Sequence, residues 1–280
     1  MQTFDTPEPI TVTIDLVVGS AQITASDRAD TVVEVYPADP ADETDISAAQ
    51  RTTVEFAMGR LSIRAPRRRA LFSNKSEAVN VVVELPEGSR VDGSGTQVEF
   101  RCTGRLGECR LKTTDGHLLL DQIESARLTT GRGKIIVDQV LSRADLSTGS
   151  GDVSIREIYG PATIKNTNGA TEVDLVTGDL RLNAANGDIF VGRIEADVVA
   201  KVNNGNVRIG AIATGSVDVE TRNGDLDVGI PDGTAAWLDL NTETGRVRNF
   251  LTSSGAPEPT GKSAEVRART HAGDIMIRRS

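Results

Sequence analysis

Charged side chains recur along this 280-residue sequence, five residues after a periodically placed glycine. The position is occupied by Asp121, Asp138, Arg156 and Asp174. Carboxylates clustered on one face can act as acid and base in cleaving glycosidic bonds. Arg156 would compensate its acidic neighbours, and the position continues as Gly192 and Gly210, without an aromatic platform for a sugar ring. We therefore interpret this column as a solvated face, and we predict no catalytic residues and no enzyme activity.

A second acidic position directly follows the periodic glycines and invites comparison with calcium-binding β-rolls, which instead place an aspartate two residues after the glycine. Its members are Asp152, Asp188, Asp225 and Asp274. Calcium rolls need a nine-residue repeat with paired glycines, whereas the spacing here is about twice that and includes Lys134 and Ala170 at the same position. His117 and His271 belong to distant repeats, which argues against a metal site or a Ser-His-Asp triad. We predict no metal-binding residues and no cofactor.

The cysteines, Cys102 and Cys109, are too few for a secreted disulfide framework. Both share the alternating phase of Phe100 and Leu111, which predicts buried thiols in the core, since free cysteine behaves as a small hydrophobe. A labile redox pair is the alternative.

The strongest basic cluster is formed by Arg64, Arg67, Arg68 and Arg69, with Lys75 nearby. Such a run is commonly a solvated loop. It lies outside the repeat, however, and clustered arginines favour a carboxylate or phosphate partner. We predict these four arginines as the candidate partner-binding site, ahead of the carboxylate column.

These residues would be positioned by a repeat of about eighteen residues. Anchor glycines are separated by 17, 18, 18, 18, 18 and 19 residues, at Gly116, Gly133, Gly151, Gly169, Gly187, Gly205 and Gly224. Gly95 precedes the series, and Gly245 and Gly273 continue it at wider spacings. Apolar residues two and four positions after each anchor alternate with polar ones, as in half-buried strands. Asn-Gly at four anchors suits a turn with positive φ, and the stacked asparagines could form a ladder.

Each repeat would supply two short strands whose apolar face is enclosed only when the repeats stack. The predicted fold is an all-β, single-stack β-solenoid with irregular N-terminal coils. We divide it into an irregular part, 1–94, and regular repeats, 95–280, continuous as one domain. The first part has an acidic loop at 37–50, with at most one helical turn from Asp45, and a basic loop at 64–75.

Composition restricts the partners. The net charge is −9, which discourages nucleic-acid binding. The N-terminus lacks the features of a signal peptide, and no stretch has the roughly eighteen apolar residues of a membrane span. A cytoplasmic protein is therefore expected.

The GDV-I repeat, the segment VVVELPEGSRVDGSG and the recurring T-x-N-G turns resemble the bacterial putative-adhesin β-strand-repeat family, also called toastrack domains. The resemblance covers nearly the whole chain and implies the repeat fold. It supplies no catalytic residues, and the family has no agreed activity. Secreted or membrane-tethered members are thought to act in adhesion or envelope-stress sensing.

We predict a noncatalytic cytoplasmic β-solenoid that binds another protein along a regular face, as a monomer or small oligomer. The alternatives are a self-assembling scaffold similar to bactofilins, and an adhesin or envelope-stress sensing module.

Overall fold

A computed structural model describes residues 1–66, 77–251 and 263–280 of the chain. The chain divides into two compact units, Met1–Leu141 and Ser142–Ser280. The described residues form twenty-four strands and one helix, so the predicted all-β solenoid class is confirmed. The boundary between residues 94 and 95, and the continuity of the two parts as one domain, stay predictions.

The first unit contains ten strands and the helix. In chain order they are β1 (Gln2–Asp5), β2 (Thr11–Asp15), β3 (Val18–Ser26), β4 (Asp30–Pro37), α1 (Glu43–Arg51), β5 (Thr53–Ala57), β6 (Arg60–Arg64), β7 (Ala78–Pro86), β8 (Arg90–Asp115), β9 (Leu118–Arg132) and β10 (Ile135–Val140).

Coils of the first unit do not stack in chain order. Strand β2 lies between β6 and β8, and β3 lies between β7 and β8, all in parallel pairs. The coil of residues 11–26 is therefore enclosed by two coils that follow it in the sequence. Beyond β6 and β7 the stack ends in antiparallel strands, because β5 pairs with β6, β4 with β7 and β1 with β4. The rings of Phe4 and Phe56 meet at this end, with centroids 5.1 Å apart.

The acidic segment 37–50 is mostly helical, which corrects the predicted loop. Helix α1 runs from Glu43 to Arg51, and the Asp42 carboxylate caps it by accepting from the Thr44 amide at 2.9 Å. Asp45 is buried and accepts hydrogen bonds from the Ala78 and Asp39 amides, at 2.9 and 3.1 Å. No apolar periodicity predicts this helix, because the residues that it buries are Ala48 and the hydrogen-bonded Asp45.

The described residues of the second unit form fourteen strands. They are β11 (Ala144–Ser150), β12 (Val153–Ile158), β13 (Ala162–Asn168), β14 (Thr171–Val176), β15 (Leu180–Asn186), β16 (Ile189–Ile194), β17 (Val198–Asn204), β18 (Val207–Ile212), β19 (Gly215–Asn223), β20 (Leu226–Ile230), β21 (Ala235–Thr244), β22 (Val247–Asn249), β23 (Ser263–Ala272) and β24 (Ile275–Arg279).

Parallel pairing in the second unit follows the eighteen-residue repeat. Strands β11, β13, β15, β17 and β19 form one sheet, and β12, β14, β16, β18 and β20 form the other. Ile164 therefore lies opposite Leu146 and Leu182, and all three side chains are buried. The predicted alternation of buried and outward residues is confirmed in these coils.

At its far end the second unit changes the order of its coils. Strand β23 pairs with β19 on one side and β21 on the other, and β24 lies between β20 and β22. The last segment of the chain is thus enclosed, and the coil of β21 and β22 is outermost. This insertion explains the wide spacings at Gly245 and Gly273, because Gly273 stacks on Gly224 and Gly245 stacks on Gly273.

One detail of the predicted register is corrected. Gly95 is not an anchor, because Val98 occupies the place beside Gly116.

The arginines of strand β24 contact the solenoid's own chain, because β24 lies between β20 and β22. Arg278 pairs with Asp227 at 2.9 Å, and Arg279 donates to the Pro231 carbonyl at 2.8 Å.

The predicted asparagine ladder is present in the second unit. The amide nitrogens of Asn186, Asn204 and Asn223 donate to the side-chain oxygens of Asn168, Asn186 and Asn204, at 2.8, 2.9 and 2.8 Å. Each asparagine precedes an anchor glycine with positive φ. The ladder therefore has a structural role at the turns.

A column of buried threonines three residues before the anchors also joins the coils. The hydroxyl groups of Thr221 and Thr270 donate to the anchor carbonyls of Gly205 and Gly224, at 3.1 and 3.0 Å. Asn166 takes this place in one coil, where its amide nitrogen donates to the Gly151 carbonyl at 3.2 Å.

We expect the double variant Asn166→Thr/Thr171→Val to be about 1 kcal/mol more stable than the wild type. The Oδ1 atom of Asn166 is buried without a hydrogen-bond partner among the described residues, and an unsatisfied buried acceptor is costly. The Thr171 hydroxyl accepts a hydrogen bond from the Asn166 side-chain amide, so it would lose this partner in Asn166→Thr. The equivalent inward position is occupied by Val153 and Ile189 in the two neighbouring coils, which is why valine replaces Thr171. Urea denaturation measures the change, and a less stable double variant would contradict it.

Candidate binding groove

A groove crosses four neighbouring strands of the second unit on their outward faces. Strands β17, β19, β23 and β21 line it, and its volume is about 590 Å³. The buried side chains of Val202, Thr221 and Thr270 point into the core beneath it. The groove therefore lies on a well-packed part of the solenoid wall.

Two rows of polar side chains form the groove. The first row consists of Lys201, Glu220, Arg269 and Asn241, which are direct partners in the strand register. The second row, two residues farther along the same strands, consists of Asn203, Arg222, His271 and Glu243. Strand geometry separates the rows by about 7 Å and extends each over about 14 Å. All eight side chains are exposed.

Ion pairs and close polar contacts hold most of these side chains. Lys201 Nζ lies 2.9 Å from Glu220 Oε2, Arg269 lies 3.2 Å from Asp239, and His271 Nδ1 lies 2.7 Å from Glu243. The hydrogen bond between Lys201 and Glu220 raises the pKa of Lys201 and lowers the pKa of Glu220. Both groups therefore stay charged across neutral pH.

Arg222 differs from the other charged groups of the groove. It is exposed, and it forms no ion pair or side-chain hydrogen bond with the described residues. A guanidinium presents five N–H donors in a planar arrangement that suits carboxylates, phosphates and carbonyl groups. With Asn203 beside it, Arg222 offers the groove's unsatisfied donors to an incoming molecule.

A second hollow, of about 530 Å³, lies in the first unit around Gly107. Arg90, Arg105, Glu87 and Glu124 surround it. Acids and bases are mixed in this hollow as they are in the groove, and it also spans neighbouring coils, since Glu108 of β8 lies opposite Ser125 of β9.

Two residues of the predicted carboxylate column, Asp121 and Arg156, bond to the solenoid's own chain. In the first unit, Asp121 accepts a hydrogen bond from the Gly104 amide at 3.1 Å. In the second, Arg156 pairs with Glu157. Gly192 and Gly210 continue the position because a Cβ atom at Gly210 would lie 2.4 Å from the Gly192 carbonyl oxygen.

The acids after the anchors have a similar structural role. Asp188 accepts from the Asn206 amide at 2.8 Å, Asp225 from the Asp274 amide at 2.8 Å, and Asp274 from the Arg246 amide at 2.9 Å. Each carboxylate thus satisfies a backbone donor in the next coil. Within residues 1–66, 77–251 and 263–280, no three His, Cys, Asp or Glu side chains are grouped so that they could hold a metal ion.

The two cysteines are buried free thiols, as predicted. Burial raises the pKa of the Cys102 thiol well above its usual value, and burial with the nearby Glu108 raises the pKa of Cys109 to about 12. Both remain protonated at neutral pH and are poor nucleophiles.

Of the four arginines in the predicted basic site, the structure places one. Arg64 ends strand β6 with an exposed side chain. Arg67, Arg68 and Arg69 lie outside the described residues, as does Lys75. Their role in partner binding stays a prediction.

The groove cannot be recognised from the repeat alone. Lys201, Glu220 and Arg222 follow the repeat and are predicted as outward residues, but the neighbouring strand β23 supplies Arg269 and His271, about fifty positions later. Only the insertion of β23 beside β19 brings these side chains together.

No helix in the described part of the chain has the length and apolar character needed to span a membrane. Comparison with curated proteins found no match. Among solved structures, a putative adhesin from Bacteroides fragilis is 12% identical, with coverage of 99% of this chain and 95% of that chain and a TM-score of 0.39. A putative cell adhesion protein from Clostridium sporogenes is 11% identical, with 100% and 98% coverage and a TM-score of 0.25.

A third solved structure, named as a putative lipid binding protein from Parabacteroides distasonis, is 12% identical. It covers 98% of this chain and 95% of its own, with a TM-score of 0.37. The family model described as Toastrack DUF4097 matches residues 13–278. The family resemblance seen in the repeat and turn motifs is thereby confirmed, and the chain belongs to the Toastrack DUF4097 family.

Proposed function

We propose that this toastrack protein is a noncatalytic binding module that holds an extended segment of a partner protein in the groove of the second unit. The observation that carries the proposal is Arg222, an exposed guanidinium without an ion pair among the described residues, within a row of polar side chains. Its neighbours Lys201 and Glu220 are already paired. Arg222 is therefore the charge with most to gain from a partner.

The dimensions of the groove favour an extended segment as the ligand. Two rows about 7 Å apart and about 14 Å long match the spacing of side chains along four or five residues of extended peptide. Charges of both signs lie within each row, so a peptide with alternating charges would be complementary. Repeat surfaces bind in this way, through many modest contacts arranged in register.

The absence of catalysis and a cytoplasmic location belong to the same proposal. Carboxylates outside the groove, such as Asp121 and Asp188, accept hydrogen bonds from backbone amides. These carboxylates therefore stabilise the fold, which supports a noncatalytic protein. The free thiols of Cys102 and Cys109 suit a reducing compartment. Cell fractionation with a compartment marker tests the location, and recovery with the envelope fraction would contradict it.

We expect Arg222→Glu to reduce partner recovery from native lysate about tenfold or more, because it reverses the groove's free charge. Arg181→Glu is the matched control: Arg181 is exposed, lies on β15 of the same sheet and is outside the groove. Affinity purification with quantitative mass spectrometry compares the two variants with the wild type. Circular dichroism confirms that both remain folded.

The basic site provides the competing outcome. A third variant carries Arg67→Ala, Arg68→Ala and Arg69→Ala together. If the groove is the contact site, this variant recovers the partner as the wild type does. Loss of recovery in the triple variant alone would assign the contact to the predicted basic site and refute the groove.

A further inference from the structure

The outermost coil of the second unit leaves its apolar interior positions open. Leu238 and Leu240 of β21 lie opposite the buried Val266 and Ala268, and so point into the core, yet both are only partly covered. Val247 of β22 lies opposite the buried Ile275 and is 45% exposed. A soluble solenoid ordinarily covers such a coil.

The backbone of this coil is also unpaired on its outer side. Strand β21 is ten residues long and pairs with β23, while no strand in the described ranges pairs with its other edge. It contains neither proline nor lysine, the residues that commonly protect an exposed edge. The edge is therefore competent to pair with another strand.

Two aromatic side chains of the open coil are exposed. Trp237 is 57% exposed, with the Arg267 guanidinium 5.9 Å from its ring centroid, and Phe250 is 62% exposed. Exposed large apolar groups together with an open edge mark a protein interface. The outer coil of the first unit is different, because antiparallel strands and the Phe4–Phe56 contact close it.

The charge of the open coil favours a second copy of this chain as the occupant. Residues 235–251 contain Asp239, Glu243, Arg246 and Arg248, so their net charge is 2 − 2 = 0, in a chain of net charge −9. Three of these groups already have a partner within the chain: Asp239 lies 3.2 Å from Arg269, Glu243 lies 2.7 Å from His271, and Arg248 lies 3.6 Å from Asp274. A two-fold arrangement that sets β21 against the β22 edge of another copy would therefore bring two neutral edges together without repulsion between like charges.

The size of the coil suits a weak dimer. The coil presents seventeen residues, 235–251, fewer than the roughly twenty to thirty per partner of a standard interface. We propose that the protein forms a closed two-fold dimer through the β21–β22 coils.

Sedimentation equilibrium of the full chain tests the dimer. We expect a species of twice the 29.7 kDa monomer mass, and a dissociation constant raised about tenfold or more by Val247→Glu. The matched control is Ile136→Glu on β10, since Ile136 is 43% exposed but lies elsewhere, and it should change the constant less than twofold. Arg248→Glu is a second variant at an exposed position, and it changes the net charge of the coil from 0 to −2 without placing a charge in the core.

Trp237, the sole tryptophan, reports from the same coil. Its emission should shift to longer wavelength on dilution, in parallel with the loss of dimer mass. A monomer at all concentrations up to about 100 µM would overturn the proposal, as would filaments or a dimer unaffected by both Val247→Glu and Arg248→Glu.

Discussion

Gly187→Ala is expected to lower the free energy of unfolding by at least about 3 kcal/mol. Gly187 has a φ of +134°, and a Cβ atom there would lie 2.1 Å from the Gly169 carbonyl oxygen and 2.6 Å from its carbon. The obstructing atoms belong to the backbone of the adjacent coil, which is fixed by parallel pairing. Relief would require the two coils to separate locally.

Gly233→Ala is the matched control. Gly233 has a φ of +78°, but no atom lies within 4 Å of its Cβ position, so only the backbone strain of about 1 kcal/mol remains. Urea titrations followed by circular dichroism measure both variants. Equal losses of stability would show that the close stacking of anchor glycines does not limit the fold.

Phe100→Ala is the second change with a large expected effect, about 3–5 kcal/mol of lost stability. Phe100 is the largest fully buried side chain in the protein's described core, with 0% exposure. It fills space left by Gly93, where a Cβ atom would lie 2.6 Å from Phe100 Cε1 and 2.9 Å from Cζ. Deleting the ring would leave a cavity that two adjoining strands cannot close.

A double-mutant cycle tests this complementarity. Gly93→Ala alone should cost about 1–3 kcal/mol because it overfills the site. Phe100→Leu removes two of the three nearest atoms that the new methyl group meets and leaves Leu111 Cδ2, at 2.7 Å. In combination with it, the loss should be at least about 1 kcal/mol smaller than the sum of the single losses. Additive losses would show that Gly93 and Phe100 do not share this space.

The repeat itself could be predicted because its signals are local. Each anchor glycine is followed by residues such as Val153 and Ile155, whose alternation specifies one strand with one buried face. The Asn-Gly turns carry their own backbone requirement, and the ladder from Asn168 to Asn223 follows from parallel stacking. Fold class and strand positions therefore depend on short-range chemistry.

The order of the coils could not be predicted, since every coil presents a similar apolar interior. Strand β19 pairs with β23, although β21 comes earlier in the chain. No local sequence feature favours β23 over β21 as the neighbour of β19. The same holds for β2, which lies between strands that come later in the sequence. The spacings wider than eighteen residues at Gly245 and Gly273 are the sequence feature that could have indicated a change in the order of the coils.

The candidate groove was hidden for the same reason. Its rows combine Lys201 and Glu220 with Arg269, and the last of these becomes a neighbour only through the inserted coil. The basic site was visible because its arginines are adjacent in sequence. The basic site could therefore be recognised from the sequence, whereas the groove could be recognised only from the structure.

Lysine footprinting tests the binding groove most directly. Lys201 lies in the groove, and Lys165 lies on the same sheet two coils away, opposite Asn183, which is itself opposite Lys201. Lys75 lies beside the predicted basic site. Acetylation rates of the three lysines are measured by mass spectrometry with and without the recovered partner. We expect the partner to slow acetylation of Lys201 while Lys165 and Lys75 react as before; protection of Lys75 with Lys201 unchanged would contradict the groove.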